Sequence, residues 1–349
     1  MFSRSADVFR LTQPLEQARS ISKLAAPSKN SVIWQEVDEG TADQRVDNYL
    51  FRLLKGVPKS HVYRILRSGE VRVNSRRVDA TYRLQPGDRV RIPPVRVAAP
   101  VPLPERLLPA LRFRPAVLFE DDWLLAIDKP AGLAVHGGSG ISRGVVELLR
   151  QADPSPFLEL VHRLDKETSG ILVLAKKRRA LIEMHTLLRE GRVEKRYLAL
   201  VRGRWRDDRR NVRLPLHKFL TATGERRVTV LEGGQASHTV FSLMRRFGEF
   251  SLLEAELKTG RTHQIRVQLA HLDHPIAGDD KYGDFELNRM ISKQRMKRMF
   301  LHASQLAFEH PVTAARIELS APLPAELQAF LDRLEPSRAY SAARPIPGA

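Results

Sequence analysis

The sequence predicts an α+β protein: a mixed, largely antiparallel sheet with flanking helices, preceded by a small, strongly basic α/β domain. Three observations carry this. Short apolar runs follow one another directly through the later part of the chain, with helical spacing only at intervals, which favours antiparallel sheet with helices packed on it. Thirteen Lys and Arg stand against five Asp and Glu in residues 43–100, so +8 of the net +18 lies in 58 residues. Seven prolines in 93–115 then mark a stiff linker between that segment and the rest.

Composition narrows the function. A chain of 349 residues has room for two domains and, at 42% hydrophobic, for a real core. There is no cysteine, which removes disulfides, thiolate zinc sites and a cysteine nucleophile, and fits a cytoplasmic protein. No apolar run reaches the length of a membrane span. A net charge of +18 points to an anionic partner, nucleic acid above all.

Residues 1–30 lack an apolar h-region and are expected to be a disordered extension rather than a signal peptide. In 43–92, Val46, Tyr49, Leu50, Leu53 and Leu54 recur at helical spacing. Pro58 and Lys59 open a second helix, with Val62, Ile65 and Leu66 inward and Gly69 at its stop. Short strands follow at Val71–Val73 and Arg89–Ile92, around turns at Asn74-Ser75 and Pro86-Gly87-Asp88. Lys59, Arg64, Arg67, Arg72, Arg76 and Arg77 crowd the second helix and the hairpin after it. This pattern, "VPKSHVYRILRSGEVRVNSRRV" followed by "LQPGDRVRI", resembles the S4 RNA-binding domain, and a helix plus hairpin would present those cations to phosphates.

Residues 116–335 read as the large domain, with a tail at 336–349. Expected strands are 123–127, 170–175, 197–202, 250–257 and 301–308, and a hairpin near Gly233-Gly234. Expected helices are 178–190, 262–271 and 325–334. Within it, "LELVHRLDKETSGILVLAKK" (158–177) pinches a polar loop between two apolar runs, where a side chain is both accessible and firmly held. Asp165 opens that loop. On the residues alone it could be a nucleophile, a general base or a turn former.

"HRLDKETSG" resembles the signature of the pseudouridine synthases related to the ribosomal large-subunit enzymes. "DKPAGLAVHGG" (128–138), "KRYLALVRG" (195–203) and "GRTHQIRVQLAHLDHPIAGDDKYG" (260–283) resemble the other motifs of that family, in order. The resemblance implies that Asp165 is the catalytic carboxylate, that Tyr197 stacks on the flipped uracil and relays a proton, and that Arg261 pairs with Asp165. It implies RNA contacts by Arg163, His162, His263 and Arg266 and a 23S rRNA substrate; an isomerisation without redox change calls for no cofactor and no fingerprint for one is seen, no metal is expected, and a monomer is expected. "KGVPKSHVYRILRSGEVRVN", "VRIPPVRVA" and "AVHGGSG" point within the family to a subgroup that modifies three separate uridines. Gln268 stands where histidine is usual and Asp273 where glycine is usual.

Other chemistries are weaker. Asp165 and Glu167 form a carboxylate pair of the kind a glycosidase needs, but the Asp of the resembled motif works alone. Ser169 lacks the G-x-S-x-G elbow of a serine hydrolase. His271, His274, Asp279 and Asp280 read better as a loop after a helix than as a metal site. The glycines at 137–140 do not form a dinucleotide fingerprint. A non-catalytic rRNA-binding protein would need the basic domain but not Asp165, Tyr197 and Arg261 together.

Overall fold

The computed structural model describes residues 32–38, 41–54, 56–95, 113–137, 143–152, 157–222 and 224–334. The N-terminal extension, most of the proline-rich segment, residues 138–140 of the glycine run and the C-terminal tail lie outside them. The chain divides into two compact units, Met1–Val101 and Pro102–Ala349.

The small unit packs helices α1 (Val46–Leu53) and α2 (Lys59–Arg67) on a three-stranded antiparallel sheet. Its strands are β1 (Ile33–Glu36), β2 (Arg72–Val73) and β3 (Arg89–Ile92), in the order β1-β3-β2. The helical spacing of the apolar residues dictates the core: Val46, Leu50, Val62 and Ile65 meet Val73, Val90 and Ile92. Buried Asp88 ties the hairpin together, accepting from Asn74 Nδ2 (2.7 Å), Gln85 N (2.8 Å) and Tyr82 Oη (3.2 Å). Strand β1 is an addition that sequence periodicity does not reveal, since four residues are too few to show a period.

The large unit is built on an eleven-stranded, predominantly antiparallel sheet. Its strands are β4 (Val117–Glu120), β5 (Leu124–Lys129), β6 (Glu159–Leu160), β7 (Ser169–Ala175), β8 (Glu194–Arg202), β9 (Arg209–Leu220), β10 (Arg226–Val230), β11 (Gln235–Phe247), β12 (Phe250–Leu257), β13 (Leu301–Glu309) and β14 (Arg316–Ser320). The main path runs β10-β9-β11-β12-β8-β13-β7-β5-β4, with β14 on β13 and β6 on β7. Among the described residues five helices flank it: α3 (Val145–Ala152), α4 (Arg178–Arg189), α5 (Gln264–His271), α6 (Phe285–Lys293) and α7 (Ala325–Arg333). The fold class is therefore the expected one, and no described helix is long and apolar enough to cross a membrane.

Strand β7 is buried along all seven residues, which is why its sequence from Gly170 onward is an unbroken apolar run rather than an alternation. Leu172 and Leu174 point to the larger core and Ile171 and Val173 to the smaller one, where Ala180, Met184 and Leu187 of α4 also pack. β7 pairs with β13 in parallel, Gly170 opposite Ala303, and Ala303 in turn faces Tyr197 on β8. This row admits no side chain at 170. Gly170 has φ +108°, and a Cβ there would lie 2.2 Å from the Ala303 carbonyl oxygen.

Gly170→Ala is accordingly expected to destabilise the protein by about 2–4 kcal/mol, from backbone strain and overpacking together. Urea unfolding measures this; an unchanged midpoint would mean that β7 and β13 can part without cost.

Candidate active site

Asp165 lies in the loop that joins β6 to β7. The backbone just after it is fixed from below. Lys129, at the end of β5 and fully buried, donates from Nζ to the carbonyls of Pro130 (2.8 Å), Leu133 (2.9 Å) and Lys166 (3.2 Å). Gly132 N donates to the same Lys166 carbonyl at 2.8 Å. Burial, with Arg298 nearby, pushes the Lys129 amine down to about 7, against the pull of Glu167, Asp165 and Asp128. Three carbonyls match the three N–H bonds of an ammonium, so the protonated form has every donor used. Sequence reading gave Lys129 no role; the signal was a lysine closing an apolar strand directly before Pro130.

The arginine that holds the carboxylate is Arg266, not Arg261. Arg266 sits on α5, 1% exposed, and its Nη1 donates to Asp165 Oδ2 at 3.1 Å. Its Nε and Nη2 form a bidentate pair with buried Asp279, both at 2.7 Å, and Nη2 is 3.4 Å from Asp280. Burial alone would raise the Asp279 carboxyl, but the Arg266 bonds and the amides of Lys281 and Tyr282 hold it below the usual carboxylate range. The same carboxylates outweigh burial at Arg266 and raise its guanidinium further. Arg266 is thus too deeply enclosed for the RNA contact expected of it. Arg261 is exposed at the rim of the same pocket, its Nε on the Ala236 carbonyl at 3.1 Å, because it precedes the helix that carries its neighbour inward.

The pocket is about 540 Å³ and is lined by Asp165, Tyr197, Arg261, His263, Leu164 and Lys195 among others. Tyr197, on β8, is 8% exposed, and burial and the Asp165 charge raise its phenol, so it is neutral at physiological pH. Arg163 is exposed at the wall. His162 lines it too, but its Nε2 accepts from Val173 N (3.2 Å), and burial and Lys195 push its ring down to about 4. That ring is thus tied to strand β7 through Nε2.

His263 sits at the start of α5 in a left-handed conformation, φ +52°. Its Nδ1 is 2.8 Å from Tyr282 Oη, which accepts from Val228 N at 2.9 Å, and its Nε2 is 3.9 Å from Asp165 Oδ2. The network assigns the tautomer: Tyr282 donates to Nδ1, leaving Nε2–H to face the carboxylate. Burial lowers the ring against the Asp165 charge, so it is a neutral donor. Both donors approach one carboxylate oxygen, Oδ2, and leave Oδ1 to the pocket.

The remaining sequence candidates fall into place locally. Asp273 has φ +60°, the region that explains glycine as the usual residue. Gln268 is buried, with Nε2 on Ser237 Oγ at 2.9 Å. Ser169 is buried between His302 Nδ1 (2.9 Å) and Arg298 (2.7 Å), away from the pocket lining. Asp279 and Asp280 meet Arg266, and His274 Nδ1 meets the Arg202 carbonyl. In the small unit, Lys59, Arg64, Arg67, Arg72, Arg76 and Arg77 are all exposed, and none pairs with a carboxylate among the described residues.

Comparison with known proteins agrees with this geometry. Residues 123–271 match the RNA pseudouridylate synthase family model, and 44–90 the S4 domain. The chain is 50% identical over 301 residues to ribosomal large subunit pseudouridine synthase C of Pasteurella multocida, covering 85% of this chain and 92% of that one. It is 48% identical over 304 residues to the protein of that name from Escherichia coli, covering 85% and 95%. Of solved structures, human RNA pseudouridylate synthase domain containing 1 aligns with TM-score 0.54 at 26% identity, over 64% of this chain and 89% of that one. Human RNA pseudouridylate synthase domain containing 4 aligns with TM-score 0.52 at 28% identity, over 64% and 94%.

Asp279→Asn strands a buried guanidinium and should cost about 3–5 kcal/mol. Because the Asp279 carboxyl is lowered in the folded state, its contribution is complete above about pH 4 and is lost as pH falls through the lowered value. Urea midpoints across acid pH should therefore fall more steeply for wild type than for Asp279→Asn; parallel curves would remove Asp279 from the pair.

Proposed function

Since this chain belongs to the RNA pseudouridylate synthase family and is an isomerase, we propose that it converts specific uridines of the large-subunit ribosomal RNA, the 23S molecule, to pseudouridine. It is proposed to act in the cytoplasm as a monomer, with the small unit as an S4-type RNA-binding domain. The observation that carries this reading is the Asp165 carboxylate, pinned through one oxygen by buried Arg266 and offering the other to a pocket walled by Tyr197.

The reaction breaks the N1–C1′ bond, turns the base and forms C5–C1′. N1 gains a proton and C5 loses one, so atoms and electrons balance with no redox partner. The uridine must leave its stack to reach the pocket. Asp165 acts at the ribose through its unclaimed oxygen, either as a nucleophile at C1′ or as the counter-charge to a cationic sugar. Arg266 keeps that carboxylate aimed through the Nη1–Oδ2 bond. Tyr197 stacks on the extruded uracil; a phenol so strongly held neutral relays the C5 proton only by passing its own proton on at the same time. Arg163 and Arg261, exposed at the wall and rim, meet RNA phosphates or fill the space the uridine leaves. The uncompensated cations of the small unit add a sequence-independent grip. The set of three uridines modified by the resembled subgroup is the proposed target set.

Pseudouridine mapping of 23S rRNA, by carbodiimide adducts and primer extension, tests the assignment in cells with and without the gene. Specific stops should vanish on deletion and return with wild type but not with Asp165→Asn, which should still fold and bind RNA. Unchanged stops in 23S rRNA would sink this substrate.

The two arginines separate in kinetics. Arg266→Lys loses the forked geometry and should lower kcat about 100-fold or more. Arg261→Ala should chiefly raise KM. The opposite pattern, read from single- and multiple-turnover rates, would return the carboxylate-holding role to Arg261.

A further inference from the structure

The outer face of the small unit's sheet carries a feature that the reaction leaves unused. Strand β1 lies N-terminal to the segment 44–90 that matches the S4 domain. It brings Trp34 to the surface, 44% exposed. The other two tryptophans differ: Trp205 is 1% exposed, and Trp123 is half-buried beneath the Lys177 ammonium. Leaving an indole in water forgoes a large apolar burial, so its surroundings matter.

Those surroundings are guanidiniums. Trp34 lies opposite Arg91, Arg91 opposite Arg72, and Arg89 opposite Glu36. Side chains alternate along a strand, so these residues share the face opposite to Val73, Val90 and Ile92 in the core. The Arg89 guanidinium is 5.4 Å from the centre of the Trp34 ring. Arg91 and Arg72 each spend one N–H on a backbone carbonyl, Glu70 at 2.6 Å and Gly69 at 3.2 Å. That contact steadies each planar fork and leaves its other donors free.

An exposed indole beside three guanidiniums and one carboxylate is the chemistry that takes an unpaired nucleotide: the base on the ring, the phosphates on the forks. An acidic protein surface would need the cations but not the flat aromatic. We propose that Trp34 is a stacking platform for an unpaired base of single-stranded RNA, with Arg72, Arg89 and Arg91 holding the adjoining phosphates. The site rests on RNA being the substrate and adds what the small unit recognises: a single-stranded segment, read on the sheet face.

The test uses the full-length protein, a single-stranded oligoadenylate and an RNA duplex of equal length. Oligoadenylate should quench tryptophan emission in wild type, and Trp34→Phe should lose that quench while keeping most of the affinity, since a phenyl ring still stacks. Trp34→Ala should weaken oligoadenylate binding about 5- to 100-fold and leave duplex binding unchanged. A quench that survives Trp34→Phe, an unchanged single-strand affinity in Trp34→Ala, or equal losses on both RNAs would each overturn the proposal. Binding is read without turnover. Missing rRNA modification alongside intact quenching would therefore sink the substrate and support this site, and the reverse result would sink this site alone.

Discussion

A guanidinium with 1% of its surface in water has to be paired, and the need to pair Arg266 organises the centre of the large unit. Asp279 takes two of its N–H bonds and Asp165 a third, so α5, the turn after it and the loop before β7 are fixed relative to one another through a single side chain. The division of charge matters as much as the geometry. Asp279, fully enclosed, neutralises the guanidinium. Asp165, reached through one oxygen at the pocket, therefore keeps its own negative charge largely unspent. A guanidinium devoted to Asp165 alone would hold it firmly but damp it as a nucleophile or counter-charge.

Rigid backbone supports this arrangement from the other side. Lys129 and Gly132 grip the carbonyl after Asp165, and the absence of a side chain at Gly170 lets β7 close on β13. Tyr197 belongs to the same row of strands. The loop that bears the reactive carboxylate is thus as well anchored as the sheet itself, which is what orientation-dependent chemistry requires.

Much of this was legible in the sequence. The fold class, the basic domain, Asp165 in a loop before an apolar strand, and Tyr197 on a following strand all came from patterning and motif resemblance. Which arginine held Asp165 did not. Arg261 and Arg266 lie five apart in one motif, and although the helix was expected to begin between them, nothing in the motif said that its inward face would carry Arg266 to Asp165. The burial that decides it is seen only in the structure: Gln264–Leu269 is buried all round, and an arginine in such a stretch must find an acid within the protein. Strands β1, β4, β9 and β14 and helices α3 and α6 also went unread, although α3 and α6 are amphipathic enough to have been found.

The chain of contacts from Val228 N–H to Tyr282 O–H to His263 bears on how the site is powered. Each group donates in the same sense, so the bond dipoles add head to tail and turn their positive end on Asp165. The field at the carboxylate is then supplied in part by oriented neutral groups, present before any substrate arrives and needing no reorganisation when charge shifts at the sugar. A site built this way does not depend on an ionised histidine for the positive end that it turns on Asp165.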